Sequence, residues 1–172
     1  MQERLCHVEN GMVYWHPHGW TVFRLLEDAI RRAGGAIVKT LGEGLVAAFE
    51  DPADAVRLGI GLPAMMARGK KTRGLRLRAA IHRGAATSVT LNDRLDYFGA
   101  TVHRAMRLVG RARGGDLVLS RDVAADPQVT AVLAGRGLEA EVLADDPTAG
   151  PGNLLCRVPV PSSTTPVGQP AR

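Results

Sequence analysis

From Thr21 the apolar residues Val22, Leu25, Leu26, Ala29 and Ile30 recur at the spacing of one helix face, and Gly34-Gly35 stops the run. Two short strands are expected next, Ala36–Thr40 and Gly44–Phe49, joined by a tight hairpin through Gly42 and Gly44. Asp51 and Pro52 stand as N-cap and first residue of a second helix. Its buried stripe is Ala55, Leu58, Leu62 and Met66, and it ends near Gly69. Leu75–His82 alternates Leu75, Leu77, Ala79 and Ile81 with Arg76, Arg78, Ala80 and His82, the pattern of a half-buried strand. Ala85–Thr90 is expected to pair back onto it across Arg83-Gly84.

A loop over Leu91–Gly99 then leads into a helix from Ala100 to Gly110. Asp116–Ser120 follows as a strand, Arg121-Asp122 opens a short helix, Gln128–Ala134 forms another, and Asn153–Val158 is a last strand. Residues 1–20 lack such a pattern; Met12–Trp15 reads at most as a short strand and His16–Gly19 as a turn. Three regions result: an irregular segment over 1–20, a folded domain over 21–158, and a disordered tail over 159–172 rich in Pro, Ser, Thr and Gly. Helices and strands interleave, with hairpins between some strands. The fold class expected is α/β (α+β): a ferredoxin-like, mostly antiparallel sheet covered by helices.

Composition narrows the functional classes. No apolar run is long enough to span a bilayer and residues 1–11 hold no signal-peptide core, so a cytoplasmic location is expected. Cys6 and Cys156 are too isolated for a zinc spacing or a disulfide framework. The net charge of +5 suits an anionic ligand, but the cations are spread along the chain. Aromatics at 4% argue against a base-stacking nucleic-acid platform. Neither a nucleic-acid nor a membrane partner is expected.

Two segments carry candidate chemistry. The first runs from Gly35 to Phe49 and contains Val38-Lys39-Thr40-Leu41-Gly42-Glu43-Gly44. The second holds Ile81-His82-Arg83-Gly84 and then Asp96-Tyr97-Phe98-Gly99-Ala100-Thr101-Val102-His103-Arg104-Ala105-Met106-Arg107. Together, in this order, they resemble the catalytic domain of class III adenylate and guanylate cyclases over roughly residues 22–158. The resemblance implies conversion of ATP, or GTP, into a cyclic 3′,5′-monophosphate and pyrophosphate in signal transduction. It also implies a homodimer with the site shared between chains and a requirement for Mg²⁺ or Mn²⁺.

By that resemblance Lys39 and Asp96 bind the purine edge. A lysine donates to a ring acceptor and a carboxylate accepts from the exocyclic amine of adenine, so the pair reads as an ATP preference. Arg107 matches the arginine that stabilises the transition state, where a planar guanidinium suits phosphoryl oxygens. His103 stands where the family has a ribose-orienting asparagine. Glu43 stands where the family has its second metal-binding aspartate; hard divalent ions accept either carboxylate. The family's opening strand, with its first metal aspartate, has no counterpart in residues 1–20, where Glu3 and Glu9 are the only carboxylates and neither follows an apolar run. The opening strand is therefore expected to be missing and the chain to be truncated or degenerate at its N-terminus. An alternative reading follows: a catalytically impaired homologue, or a gene fragment, acting as a nucleotide-binding or dimerisation module.

Overall fold

The computed structural model describes residues 4–10, 19–41, 44–91, 94–143 and 155–160. Among them a seven-stranded sheet runs in the order β2-β3-β1-β4-β7-β9-β8, and β5 and β6 form a separate two-stranded ribbon. The strands are β1 (Arg4–Asn10), β2 (Ala36–Leu41), β3 (Gly44–Phe49), β4 (Leu77–Arg83), β5 (Thr87–Leu91), β6 (Arg94–Phe98), β7 (Asp116–Ser120), β8 (Glu141–Leu143) and β9 (Leu155–Pro159). The helices are α1 (Gly19–Arg32), α2 (Pro52–Arg68), α3 (Ala100–Val109), α4 (Arg121–Ala124) and α5 (Pro127–Ala134). Within the large sheet only β4 and β7 pair in parallel; the other described pairs are antiparallel. The expected α/β architecture is thus present.

The opening strand expected to be missing is there. β1 lies in the middle of the sheet, with Leu5 opposite Ala48 of β3 on one side and His82 of β4 on the other. Pattern failed here because a central strand is fixed by two backbone ladders, and those demand no alternation of side chains. Met12–Trp15, also read as a strand, lies outside the described residues. β5 does not pair with β4; it pairs with β6, Val89 facing Asp96 and Thr87 facing Phe98. Both edges of β4 are already taken by β1 and β7, so β5 has no ladder left to join. The segment expected as a loop over 91–99 is therefore largely strand. β9 continues to Pro159, one residue into the expected tail.

Alternation sorts the core. Ala79, Ile81, Leu117, Leu119 and Val158 point into one cluster with Val22, Leu26 and Ile30 of α1, with α2, and with Val123, Val129 and Leu133 of α4 and α5. Ala80, Val118 and Leu155 face the other way, against Leu108 and Val109 of α3. β4 is thus buried on both faces, not half-buried: α3 lies over the face that reads as polar in sequence. Tyr97 of the ribbon packs with Val46 of β3 and with Val102 and Ala105 of α3, which ties the ribbon to the α3 side.

Local sequence explains the helix limits. Asp51 caps α2 by accepting from the Ala53 amide at 2.8 Å, with Pro52 in the first turn. Asp126 does the same for α5 through the Gln128 amide. Close packing fixes Gly59 in α2, since a Cβ there would meet Leu117 Cδ1 at 2.8 Å. Among the described residues no helix is long and apolar enough to cross a membrane.

Candidate functional site

Lys39 sits on β2, an outer strand of the large sheet, just after a register irregularity between Ile37 and Lys39. Its Nζ lies over the Phe98 ring, 4.6 Å from the centroid, a cation–π distance. Phe98 is the last residue of β6 and 43% exposed. Asp96 precedes it by two residues on β6, opposite Val89 of β5. The contact between Lys39 and Phe98 brings the edge strand β2 up to β6. The expected loop setting of Asp96 is replaced by a strand, which fixes its position more firmly.

Gly99 links this strand to α3 with φ 123, outside the range that side chains adopt readily. The helix then starts at once, and the His103 amide donates to the Gly99 carbonyl. His103 and Arg107 are four residues apart, so they share one face of α3; both are exposed. Arg107 stands about 12 Å along the helix axis from Gly99, eight residues at 1.5 Å each. The opposite face of α3, Thr101, Val102, Ala105, Leu108 and Val109, is buried. Gly84 lets the two segments close up: Thr101 Oγ1 donates to the Ala85 carbonyl, and a Cβ on Gly84 would meet that hydroxyl at 2.6 Å.

Glu43 lies outside the described residues. Among those described, no three His, Cys, Asp or Glu side chains converge as a metal cluster. The backbone register adds a carboxylate position that sequence reasoning passed over. Val8 of β1 pairs with Leu45 of β3, and β1 runs on through Glu9 to Asn10. Glu9 thus stands at the end of β1 nearest the sequence neighbours of Glu43. Sequence alone sets Glu9 aside because no apolar run precedes it; the register places it one residue beyond Val8, opposite Arg78 of β4.

A cavity of about 300 Å³ opens between α1 and β2, lined by Phe23, Glu27, Ile30, Arg31, Ile37 and Lys39 among others. Its lining includes no residue of β6 or α3, so it is not where Asp96, His103 and Arg107 stand.

One buried titratable group lies under the site. His82 is 6% exposed at the end of β4, and its Nδ1 has no hydrogen-bond partner among the described residues. Burial first, then the Arg104 guanidinium of α3, hold its pKa down from 6.5 to about 4; Asp122 of α4 pulls the other way. His82 is therefore neutral at pH 7.

No family model matches the chain. An adenylate cyclase of Mycosarcoma maydis is 30% identical over 122 residues, which is 58% of this chain and 5% of that protein. A threonine–tRNA ligase of Caulobacter vibrioides is 49% identical over 43 residues, 21% of this chain and 7% of that enzyme. The chain thus spans a small fraction of the length of either relative. Solved structures reach much further along it. An adenylate cyclase from Trypanosoma brucei, in its monomeric state, superposes with a TM-score of 0.75 at 19% identity, over 93% of this chain and 90% of that one. The catalytic core of a rhodopsin–guanylyl cyclase with converted specificity, in complex with ATPαS, gives 0.69 at 19% identity, over 91% and 94%. The fold is that of adenylate and guanylate cyclase catalytic domains.

Proposed function

We propose that this chain is a nucleotide cyclase, with ATP the preferred substrate, acting as a homodimer in cytoplasmic cyclic-nucleotide signalling. The observation that carries the reading is the approach of Lys39 to the strand of Asp96, made through Phe98 at 4.6 Å. In this reading a lysine and an aspartate would meet the acceptor and the donor on the Watson–Crick edge of adenine. In the reaction the ribose 3′-oxygen attacks the α-phosphorus and loses its proton, while the bond to the pyrophosphate oxygen breaks. Arg107 is assigned to the phosphoryl oxygens, whose charge grows in the transition state. His103 is assigned to the ribose, where its ring can donate or accept one hydrogen bond. Glu43, with Glu9, would hold Mg²⁺ or Mn²⁺, which when bound lowers the pKa of the 3′-hydroxyl and neutralises phosphate charge.

The site is shared in this reading: Lys39, Asp96, His103 and Arg107 come from one chain and the carboxylates from its partner. Two inactive chains should then complement each other. A Lys39→Ala chain mixed with a Glu43→Ala chain is expected to regain cyclic AMP formation with Mn²⁺, as one intact site forms in the mixed dimer. An active wild type without rescue in the mixture sinks the shared geometry.

His103 in the asparagine position and Glu43 in the aspartate position favour a second reading, a nucleotide-binding or dimerisation module with impaired catalysis. The extra methylene of glutamate and the larger imidazole each displace polar atoms by about 1 Å, enough to cost on the order of a hundredfold in rate. Tight ATP binding with no cyclic product from ATP or GTP, in either Mn²⁺ or Mg²⁺, distinguishes it.

A further inference from the structure

Two connections far apart in sequence meet at one end of the molecule. Residues 69–76 join α2 to β4, and residues 110–115 join α3 to β7. Because β4 and β7 are parallel, both strands begin at this end, and helices from opposite faces of the sheet finish there. The turns touch: the Gly115 amide donates to the Leu77 carbonyl at 2.8 Å, and a Cβ on Gly114 would come within 2.8 Å of Arg76 Cβ. They carry Lys70, Lys71, Arg73, Arg76, Arg111 and Arg113 and not one carboxylate. All six are exposed, and none has an ion pair among the described residues.

Both turns are anchored from inside. Thr72 is buried and its hydroxyl donates to the Met66 carbonyl at 2.7 Å, while Ala112 is buried against the α3 cluster. The cations therefore project from a fixed base. The carbonyl ends of α2 and α3 offset part of the charge, about half a unit each. A concentration of positive charge this large repels itself, and so it marks a surface that meets an anion.

The geometry points to this end of the molecule as a docking surface for an anionic phospholipid bilayer. Neither turn contains an aromatic side chain, which a single-stranded nucleic-acid platform uses for stacking. Neither turn is a helix or strand that could enter a groove of a duplex. What remains is delocalised charge without register, which suits a fluid plane of phosphatidylserine headgroups. Clusters of four to eight Lys and Arg bind such planes. This inference uses none of the residues assigned to the nucleotide, although β1 finishes at the same end of the sheet, with Asn10 opposite Leu77 and Glu9 opposite Arg78.

The test is sedimentation of the full chain with lipid vesicles. Vesicles of phosphatidylcholine with about 30 mol% phosphatidylserine should carry the chain down, and pure phosphatidylcholine should not. Raising salt from about 0.1 M to about 0.5 M shortens the screening length from about 10 Å to about 4 Å and should release it. The variant Lys70→Glu, Lys71→Glu, Arg73→Glu should lower partitioning by on the order of a hundredfold or more. The milder pair Lys70→Gln, Lys71→Gln should lower it in the same direction if the triple variant fails to fold. Arg31→Gln with Arg32→Gln, on α1 and already paired with Asp28, should leave it unchanged. Equal sedimentation with neutral vesicles, an equal loss in the α1 variant, or no loss in the 70–73 variants overturns the assignment. So does preferential capture of the chain by a nucleic-acid duplex at matched phosphate concentration.

Discussion

Acid should unfold this protein early, and His82 is the reason. The unfolded chain binds a proton on this imidazole near pH 6.5, the folded chain only near 4. Between those values the unfolded state holds more protons, so stability falls as pH drops. The contribution is fully present above about pH 6.5, shrinks steadily below it, and levels off only below about pH 4, once the folded state is protonated too. The gap from 6.5 to about 4 corresponds to about 3 kcal/mol in total, with about 2 kcal/mol already lost at pH 5. Against a typical domain stability of about 5–15 kcal/mol, that loss is large.

The assay is urea unfolding at steps from pH 7 to pH 4.5, on the wild type and on His82→Leu. Carboxylates that titrate in this range are common to both proteins and cancel in the difference. The leucine variant removes a buried nitrogen that has no partner, so at pH 7 it should be at least as stable as the wild type, provided the side chain fits. On acidification the wild type should lose about 2 kcal/mol more than the variant by pH 5. Parallel stability curves for the two proteins refute the reasoning. They would mean that water reaches His82 or that Asp122 compensates its charge.

Gly99→Ala places a Cβ at φ 123 where α3 begins, and should cost about 1–3 kcal/mol of stability by thermal or urea unfolding. Phe98→Leu removes the ring beneath the Lys39 ammonium; an exposed contact of this kind amounts to about 0.5–1 kcal/mol, so KM for ATP should rise about two- to fivefold with kcat little changed. Phe98→Tyr should retain the wild-type KM.

The elements that were legible in sequence carry their own signals. Asp51-Pro52 announces α2, Gly34-Gly35 closes α1, and the glycines around Glu43 separate the β2 run from the β3 run. The errors share one physical cause: long-range backbone pairing leaves little trace in side-chain order. Arg4 to Asn10 holds only Leu5, Cys6 and Val8 as apolar residues, and nothing in that stretch says that two strands from elsewhere will flank it. β5 and β6 were separable in principle, because Asn92-Asp93 between two runs of alternating residues is a two-residue turn signal. His82 reads as a solvent-facing partner of Arg78 until α3 is laid across it. Lys39, His103 and Arg107 are proposed as site residues through motif resemblance, and neither the contact between Lys39 and Phe98 nor the irregularity in β2 is announced by any pattern. The basic end of the molecule was hidden for a similar reason, since its six cations are split between two stretches some forty residues apart.

The central place of β1 has a consequence for synthesis. This strand leaves the ribosome before its neighbours, residues 44–49 and 77–83, which follow only about forty and about seventy residues later at roughly 5–20 residues per second. For several seconds the nascent chain holds a strand with both hydrogen-bonding edges vacant, while β2 and β3 can already close as a local hairpin within microseconds. Until β1 slots between them, that hairpin and the β4–β7 half are two separate pieces with raw seams, each open to pairing with a neighbouring nascent chain.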